Sequence, residues 1–183
     1  MTVATYKWTI DRYHQAVESG IFDDQPVELL QGEVVVMPPE GEPHTYFSDR
    51  LSKVLQNRLG ARAQVREARP ITLPNHSEPQ PDIAVVQPLD TVYLDHHPYP
   101  ENVFWLIEYS NTTLAKDLTT KKDAYADAGI LEYWVVNLKN LQLIVFRDLV
   151  AGSYRTELTL TVGVISPTAF PDIQIDVRRM FNV

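Results

Sequence analysis

Residues 103–110 read VFWLIEYS, a short run rich in β-branched and aromatic residues that is apolar at odd and even positions alike. Side chains alternate across a strand, so a strand of this composition must be covered on both faces. That requirement predicts a central place in a sheet, with other elements packed above and below it. One residue breaks the pattern. Glu108 puts a carboxylate into the covered interior, where an ionised group costs several kcal/mol unless a metal ion or a lysine meets it. The stretch therefore demands layers on both sides of its sheet and a partner for Glu108.

The neighbouring segments supply the layers. Ile10, Tyr13 and Val17 recur at helical intervals in TIDRYHQAVESG, which closes on a glycine suited to a C-cap. VELLQGEVVVMPP reads as a hairpin around Gly32, ended by Pro38 and Pro39. From His44 to Leu59 the set Phe47, Leu51, Val54, Leu55 and Leu59 follows the 3.6-residue period, which predicts an amphipathic helix packed on the sheet. AQVREARPITL reads as extended, and PNHSEPQP as a loop leading to the strand DIAVVQ, with Asp82 at its mouth. The loop PLDTVYLDHHPYPEN is long enough to act as a lid. A helix from about Leu114 to Ala128, with Gly129 just past its end, is followed by the hairpin EYWVVNL and LIVFRDL and a last strand in SYRTELTL.

Composition narrows the chemistry. The 183 residues suit one domain over 1–183, with 44% hydrophobic and 22% charged residues. The chain has no cysteine, so any metal must be held by oxygen or imidazole. No apolar run reaches the roughly 18 residues that span a bilayer, and the N-terminus lacks a signal h-region, so a cytoplasmic protein with no membrane partner is expected. The net charge of −8 argues against broad phosphate binding. Arg50, Lys53, Arg58, Arg62, Arg66 and Arg69, however, stand against only Asp49 and Glu67, which leaves room for a local nucleic-acid-binding surface as well as for a solvated helix face.

The helix after VFWLIEYS repeats Asp117, Lys121 and Tyr125 at four-residue intervals. An exposed Asp–Lys pair is one explanation; a lysine returned to the buried carboxylate is the other. Asp82 likewise suits either a turn or a site. His96 and His97 are adjacent on a Pro-flanked loop and lack further metal-like spacing. Tyr125, Tyr133 and Trp134 read as core aromatics.

The order helix, strands, PD, strand with Glu, helix resembles the PD-(D/E)XK nuclease superfamily. More closely, VELLQGEVVVMPP, His44, PQPDIAVV, IEYSNTTLAKDLTTKKDAYADAGILEYWVVN and SYR resemble the Uma-type restriction endonuclease family within it. The resemblance implies an α/β, restriction-endonuclease-like mixed central β-sheet flanked by α-helices. It implies a metal-dependent endonuclease hydrolysing phosphodiester bonds of nucleic acid, DNA above RNA, with Mg²⁺ or Mn²⁺ as cofactor. Asp82 becomes the PD aspartate, Glu108 the second metal ligand and Lys121 the catalytic lysine. The ordinary motif has its lysine two residues after the second acid; Ser110 stands there, and the lysine has moved to the helix. Glu28 corresponds to an extra acidic ligand, and a solvated strand residue is its plain alternative. His44 and Asp117 become supporting residues. By analogy a homodimer is expected, since cutting both strands of a duplex needs two sites. The competing reading is a catalytically inactive nucleic-acid- or protein-binding module that kept the fold, and a third is a hydrolase of small phosphorylated molecules.

Overall fold

The structure, a computed structural model, describes residues 5–182. At its centre, as the apolar run demands, lies strand β5 (Val103–Ser110). It belongs to a six-stranded sheet in the order β3 (Gln64–Glu67), β4 (Ile83–Val86), β5, β6 (Tyr133–Asn137), β7 (Gln142–Val150) and β8 (Ser153–Leu160). The pair β5–β6 is parallel and the other pairs are antiparallel, so the sheet is mixed.

The alternation of β5 sorts its side chains between two cores. Trp105, Ile107 and Tyr109 join Leu51, Leu55 and Leu59 of helix α2 (Glu42–Leu59), together with Ile173 and Met180 of the C-terminal segment. Leu106 packs on the other face with Ala84, Tyr133, Val135 and the helix that follows β5. Glu108 and Ser110 share the face of Leu106 by the two-residue period, so they look toward that helix and away from α2.

That helix, α3, covers residues 114–128. Its regular turns, Leu114–Lys116 and Lys122–Ala128, flank a π-helical segment, Asp117–Lys121. Such wide turns are frequent at functional sites. Gly129 ends the helix at φ 93°, a left-handed C-cap that a residue with a Cβ adopts only at a cost.

A second layer comes from the N-terminal part. Helix α1 (Ile10–Glu18), capped by the Thr9 hydroxyl, packs Tyr13 against Val27 and Leu29 of the hairpin β1 (Val27–Leu30) and β2 (Glu33–Val36). The hairpin turns on Gln31 and Gly32, both at positive φ, which matches the type I′ geometry of two-residue hairpins. A Cβ on Gly32 would sit 2.9 Å from the Lys7 Cβ, so the close approach of the N-terminal segment also requires glycine there. Leu29 exchanges backbone hydrogen bonds with Glu78, which ties the hairpin to the segment before β4. Two short strands, β9 (Val164–Ile165) and β10 (Ile175–Asp176), close the C-terminal part.

The loop 87–102 is ordered by two 3₁₀ turns, and His96 stacks on Tyr99 with ring centroids 4.2 Å apart. It borders a cavity with His14 and Thr72, and none of its residues lines the acidic cavity around Glu108. No helix among the described residues is long and apolar enough to cross a membrane.

Candidate active site

The site begins with strand register. Strands β4 and β5 run antiparallel with Ile83 opposite Ile107, and one step toward the mouth of β4 sets Asp82 beside Glu108. The two carboxylates meet because the ladder puts them there. Asp82 Oδ2 accepts a 2.6 Å hydrogen bond from the Tyr109 amide and lies 3.0 Å from His44 Nε2. His44 stands in the first turn of α2, which follows the N-cap Gly41 and carries Pro43 as its second residue, and this brings the imidazole to the strand mouth.

Glu108 is 3% exposed. Its Oε1 accepts from Lys121 Nζ at 2.8 Å and from the Tyr125 hydroxyl at 2.9 Å. Lys121 Nζ also lies 3.3 Å from Glu28 Oε2. The lysine thus reaches the carboxylates from α3, and the solvent-exposed alternative is excluded. Glu28 is fully buried: Lys116 Nζ donates to its Oε1 at 2.8 Å and the Gln80 amide to its Oε2 at 3.2 Å. That environment rules out the solvated-strand reading of Glu28.

Four carboxylates, Glu28, Asp82, Glu108 and Asp117, therefore surround two lysines, with Glu28 paired to Lys116 and Lys121 and Glu108 paired to Lys121. Burial, reinforced by the charges of Asp82, Asp117 and Glu28, outweighs Lys121 and pushes the Glu108 carboxyl up to about 8. Burial opposes the charge on Lys121, but Glu108, Glu28, Asp117 and Asp82 together raise it and keep the ammonium protonated. Burial also works against an ionised Glu28, and there Lys121 and Lys116 prevail and lower it. At Asp117 burial prevails over Lys121 and the two hydroxyl bonds, and the carboxyl is raised. For His44 burial is overcome by Asp82 and Glu40, so its pKa rises. Together these shifts describe an Lys121–Glu28 ion pair beside a Glu108 that holds its proton.

Ser110 donates to Asp117 Oδ2 at 2.5 Å and Thr113 donates to the same oxygen at 2.7 Å. The place of the ordinary motif lysine is consequently filled by the start of α3, which leaves the helix as the source of the ammonium. Asp117 anchors the first turn of α3 to the end of β5, and the Tyr133 hydroxyl donates to its carbonyl.

Three residues at the site escaped the sequence reading of it. Glu40 Oε2 is 3.3 Å from His44 Nδ1, and Glu40, His44 and Asp82 offer ligand atoms within 4.8 Å of one another, which could hold a metal ion. The spacing of Glu40 and His44 by four residues was a local signal of the first contact. Lys116 carried none, because its partner Glu28 is 88 residues away. Tyr125 is core, as expected, and is also a donor to Glu108.

The basic residues part company. Lys53 pairs with Asp49 on the exposed side of α2. Arg66 lies on β3, its guanidinium 5.4 Å over the Tyr93 ring. Arg50, Arg58 and Arg62 flank the C-terminal segment. None of the five lines the acidic cavity, whose volume is about 270 Å³ and whose cations are Lys116, Lys121 and, when protonated, His44.

No curated protein matches the chain. Among solved structures it is similar to the crystal structure of "a putative nuclease belonging to DUF820" from Anabaena variabilis ATCC 29413, with a TM-score of 0.72 over 86% of this chain and 90% of that one at 13% identity. That likeness shows the restriction-endonuclease-like fold: a mixed sheet flanked by helices. A family model covers residues 8–178, which include every acidic and basic group of the site, and the chain belongs to the family it describes, "Uma2: Putative restriction endonuclease".

Proposed function

We propose that the chain is a metal-dependent endonuclease that hydrolyses phosphodiester bonds of nucleic acid, DNA in preference to RNA, with Mg²⁺ or Mn²⁺ as its ion. The observation that carries this reading is the convergence of Asp82, Glu108 and Lys121 from a strand mouth, a central strand and a helix on one polar cavity. The family and the structural neighbour, both described as nucleases, support it.

The residues fit a divalent ion. Were all four carboxylates ionised, they would exceed the two lysines by two negative charges, and burial together with that crowding raises the Glu108 carboxyl. The hydrogen bonds made to Asp82 fall on Oδ2 and those made to Glu108 on Oε1, which leaves one oxygen of each for a ligand. His44 Nδ1 is buried and makes no hydrogen bond, with Glu40 Oε2 3.3 Å away. Asp82 and Glu108 would hold the ion, with His44 and Glu40 beside them. Glu28, whose oxygens are taken by Lys116, Lys121 and Gln80, would act through the lysines. A divalent ion bound there supplies Lewis acidity, polarising a phosphoryl oxygen and acidifying water.

The chain's own groups do the rest. Lys121, oriented by Glu28 and Glu108, presents an ammonium that positions the attacking water and balances charge on the phosphate. Tyr125 holds Glu108 in its rotamer from beneath. His44 and the Tyr109 amide fix Asp82. Cutting both strands of a duplex would take two such sites, and a homodimer provides them.

The test combines calorimetry with Mn²⁺ and cleavage of plasmid DNA, single-stranded DNA and RNA. Metal binding and DNA cleavage that both vanish in Asp82→Ala support the reading. Metal binding without cleavage of any polynucleotide points to a hydrolase of small phosphorylated molecules, and no metal binding points to a binding module. Sedimentation that shows only monomer at micromolar concentration sinks the homodimer.

A further inference from the structure

A second cavity is larger than the acidic one. It measures about 550 Å³ and lies between α2 and the C-terminal segment, and it shares no lining residue with the acidic cavity. Four arginines, Arg50, Arg58, Arg62 and Arg179, line it against two carboxylates, Asp172 and Asp176, in a chain whose net charge is −8.

The way these arginines are held decides what the cavity can bind. Among the described residues, Arg62 alone of the four is paired with a carboxylate: its Nη1 donates to both oxygens of Asp172, at 3.0 and 2.9 Å, and its guanidinium lies 5.4 Å over the Phe170 ring. Arg58 donates to the Gln174 carbonyl and Arg50 to the Asn182 carbonyl at 3.3 Å, so both are oriented by neutral groups that leave their charge intact. Arg179 has no carboxylate partner among the described residues. Asp176 accepts from the Arg178 amide at 3.0 Å as the cap of the last 3₁₀ turn and keeps its charge, so the four arginines exceed the two carboxylates by two charges. The cavity also has an apolar floor, formed by Leu51, Ile173, Ile175 and Met180, all buried.

We propose that this cavity binds a phosphate-bearing ligand of nucleotide size, at a site separate from the catalytic cavity. Arginine forks match phosphate oxygens in planar, bidentate geometry, and the apolar floor suits the flat base of a nucleotide. The same chemistry is offered by a free nucleotide and by the terminal nucleotide of a strand. Either way, binding does not depend on Asp82, Glu108 or a metal ion, and the site stands apart from the nuclease reading.

The experiment uses the full chain in chelator, where the catalytic reading predicts neither metal binding nor cleavage. Calorimetric titrations with inorganic pyrophosphate, ADP and a short 5′-phosphorylated single-stranded DNA are compared for wild type, Arg179→Gln, the double variant Arg58→Gln/Arg179→Gln, and Asp82→Ala. Saturable one-to-one binding by at least one probe is expected, weakened about tenfold by Arg179→Gln, further by the double variant, and unchanged by Asp82→Ala. Binding of ADP identifies a free nucleotide as the source, and binding of the oligonucleotide alone identifies a strand end. Three outcomes overturn the proposal: no saturable binding by any probe; binding that survives the double variant while its melting temperature falls, which makes the arginines a latch for the C-terminal segment; or binding lost in Asp82→Ala, which places the phosphate in the acidic cavity. Exposed Arg179 keeps the test valid if the double variant fails to fold.

Discussion

Replacing Glu108 with glutamine should make the metal-free protein more stable. The unfolded carboxyl titrates near 4.5, and the folded one is raised to about 8 by burial and by neighbouring carboxylates. Between these values the folded state keeps a proton that the unfolded state has lost. A raised carboxyl therefore carries no penalty below pH 4.5, and destabilises the fold increasingly as pH climbs toward 8. The slope is about 1.4 kcal/mol per pH unit, so the penalty reaches roughly 3 kcal/mol at pH 7. Glutamine removes the titration and still offers Oε1 to Lys121 and Tyr125. Its ammonium neighbour keeps Glu28 as counter-charge. At about 2–4 °C per kcal/mol for a chain of this size, Glu108→Gln should melt roughly 5–10 °C above wild type at pH 7 in chelator, with the gap closing near pH 4.5. With Mn²⁺ the order should narrow or reverse, because the ion stabilises only the protein that binds it. Thermal melts of both proteins at pH 5, 6, 7 and 8 measure this directly. A mutant less stable than wild type by the same margin at every pH would show Glu108 ionised throughout, and the reasoning would be wrong.

Four further outcomes follow from the same contacts. Lys121→Met should lose about 3 kcal/mol, since it strips a buried cation from Glu28, and should abolish cleavage, as read by urea melts and plasmid assays; wild-type cleavage would exclude the helix lysine from the chemistry. Tyr125→Phe should cost about 1–2 kcal/mol by loss of a buried hydrogen bond, and an unchanged urea midpoint would mean that the bond contributes nothing. Glu28→Gln should leave the calorimetric affinity for Mn²⁺ within about threefold while slowing cleavage by about tenfold or more, because Glu28 acts through the lysines; a proportional loss of metal affinity would make it a ligand. Ser110→Lys should not restore cleavage to Lys121→Ala, since Asp117 and Thr113 fill the space beside Ser110, and recovered activity would refute that packing.

What the sequence determined by itself was whatever repeats over a few residues. The two-sided apolar pattern of residues 103–110 placed β5 at the centre of the sheet, the 3.6-residue spacing of Leu51, Leu55 and Leu59 marked the core face of α2, and Gly129 marked the end of α3, because period and backbone conformation are local properties. Glu108 announced a buried carboxylate for the same reason. Its partners were not local. Register between β4 and β5 decided that Asp82 stands beside it, and docking of α3 on the sheet decided that Asp117 reaches Ser110 while Lys121 and Tyr125 reach Glu108. Docking of the hairpin on α3 brought Glu28 to Lys116 across 88 residues of chain. The basic stretch divided for a similar reason: on a helix and the strand after it, neighbours in sequence point in different directions, and the C-terminal segment rather than the acidic cavity claimed Arg50, Arg58 and Arg62. Tertiary packing made those choices because each depends on contacts between segments whose meeting no local periodicity encodes.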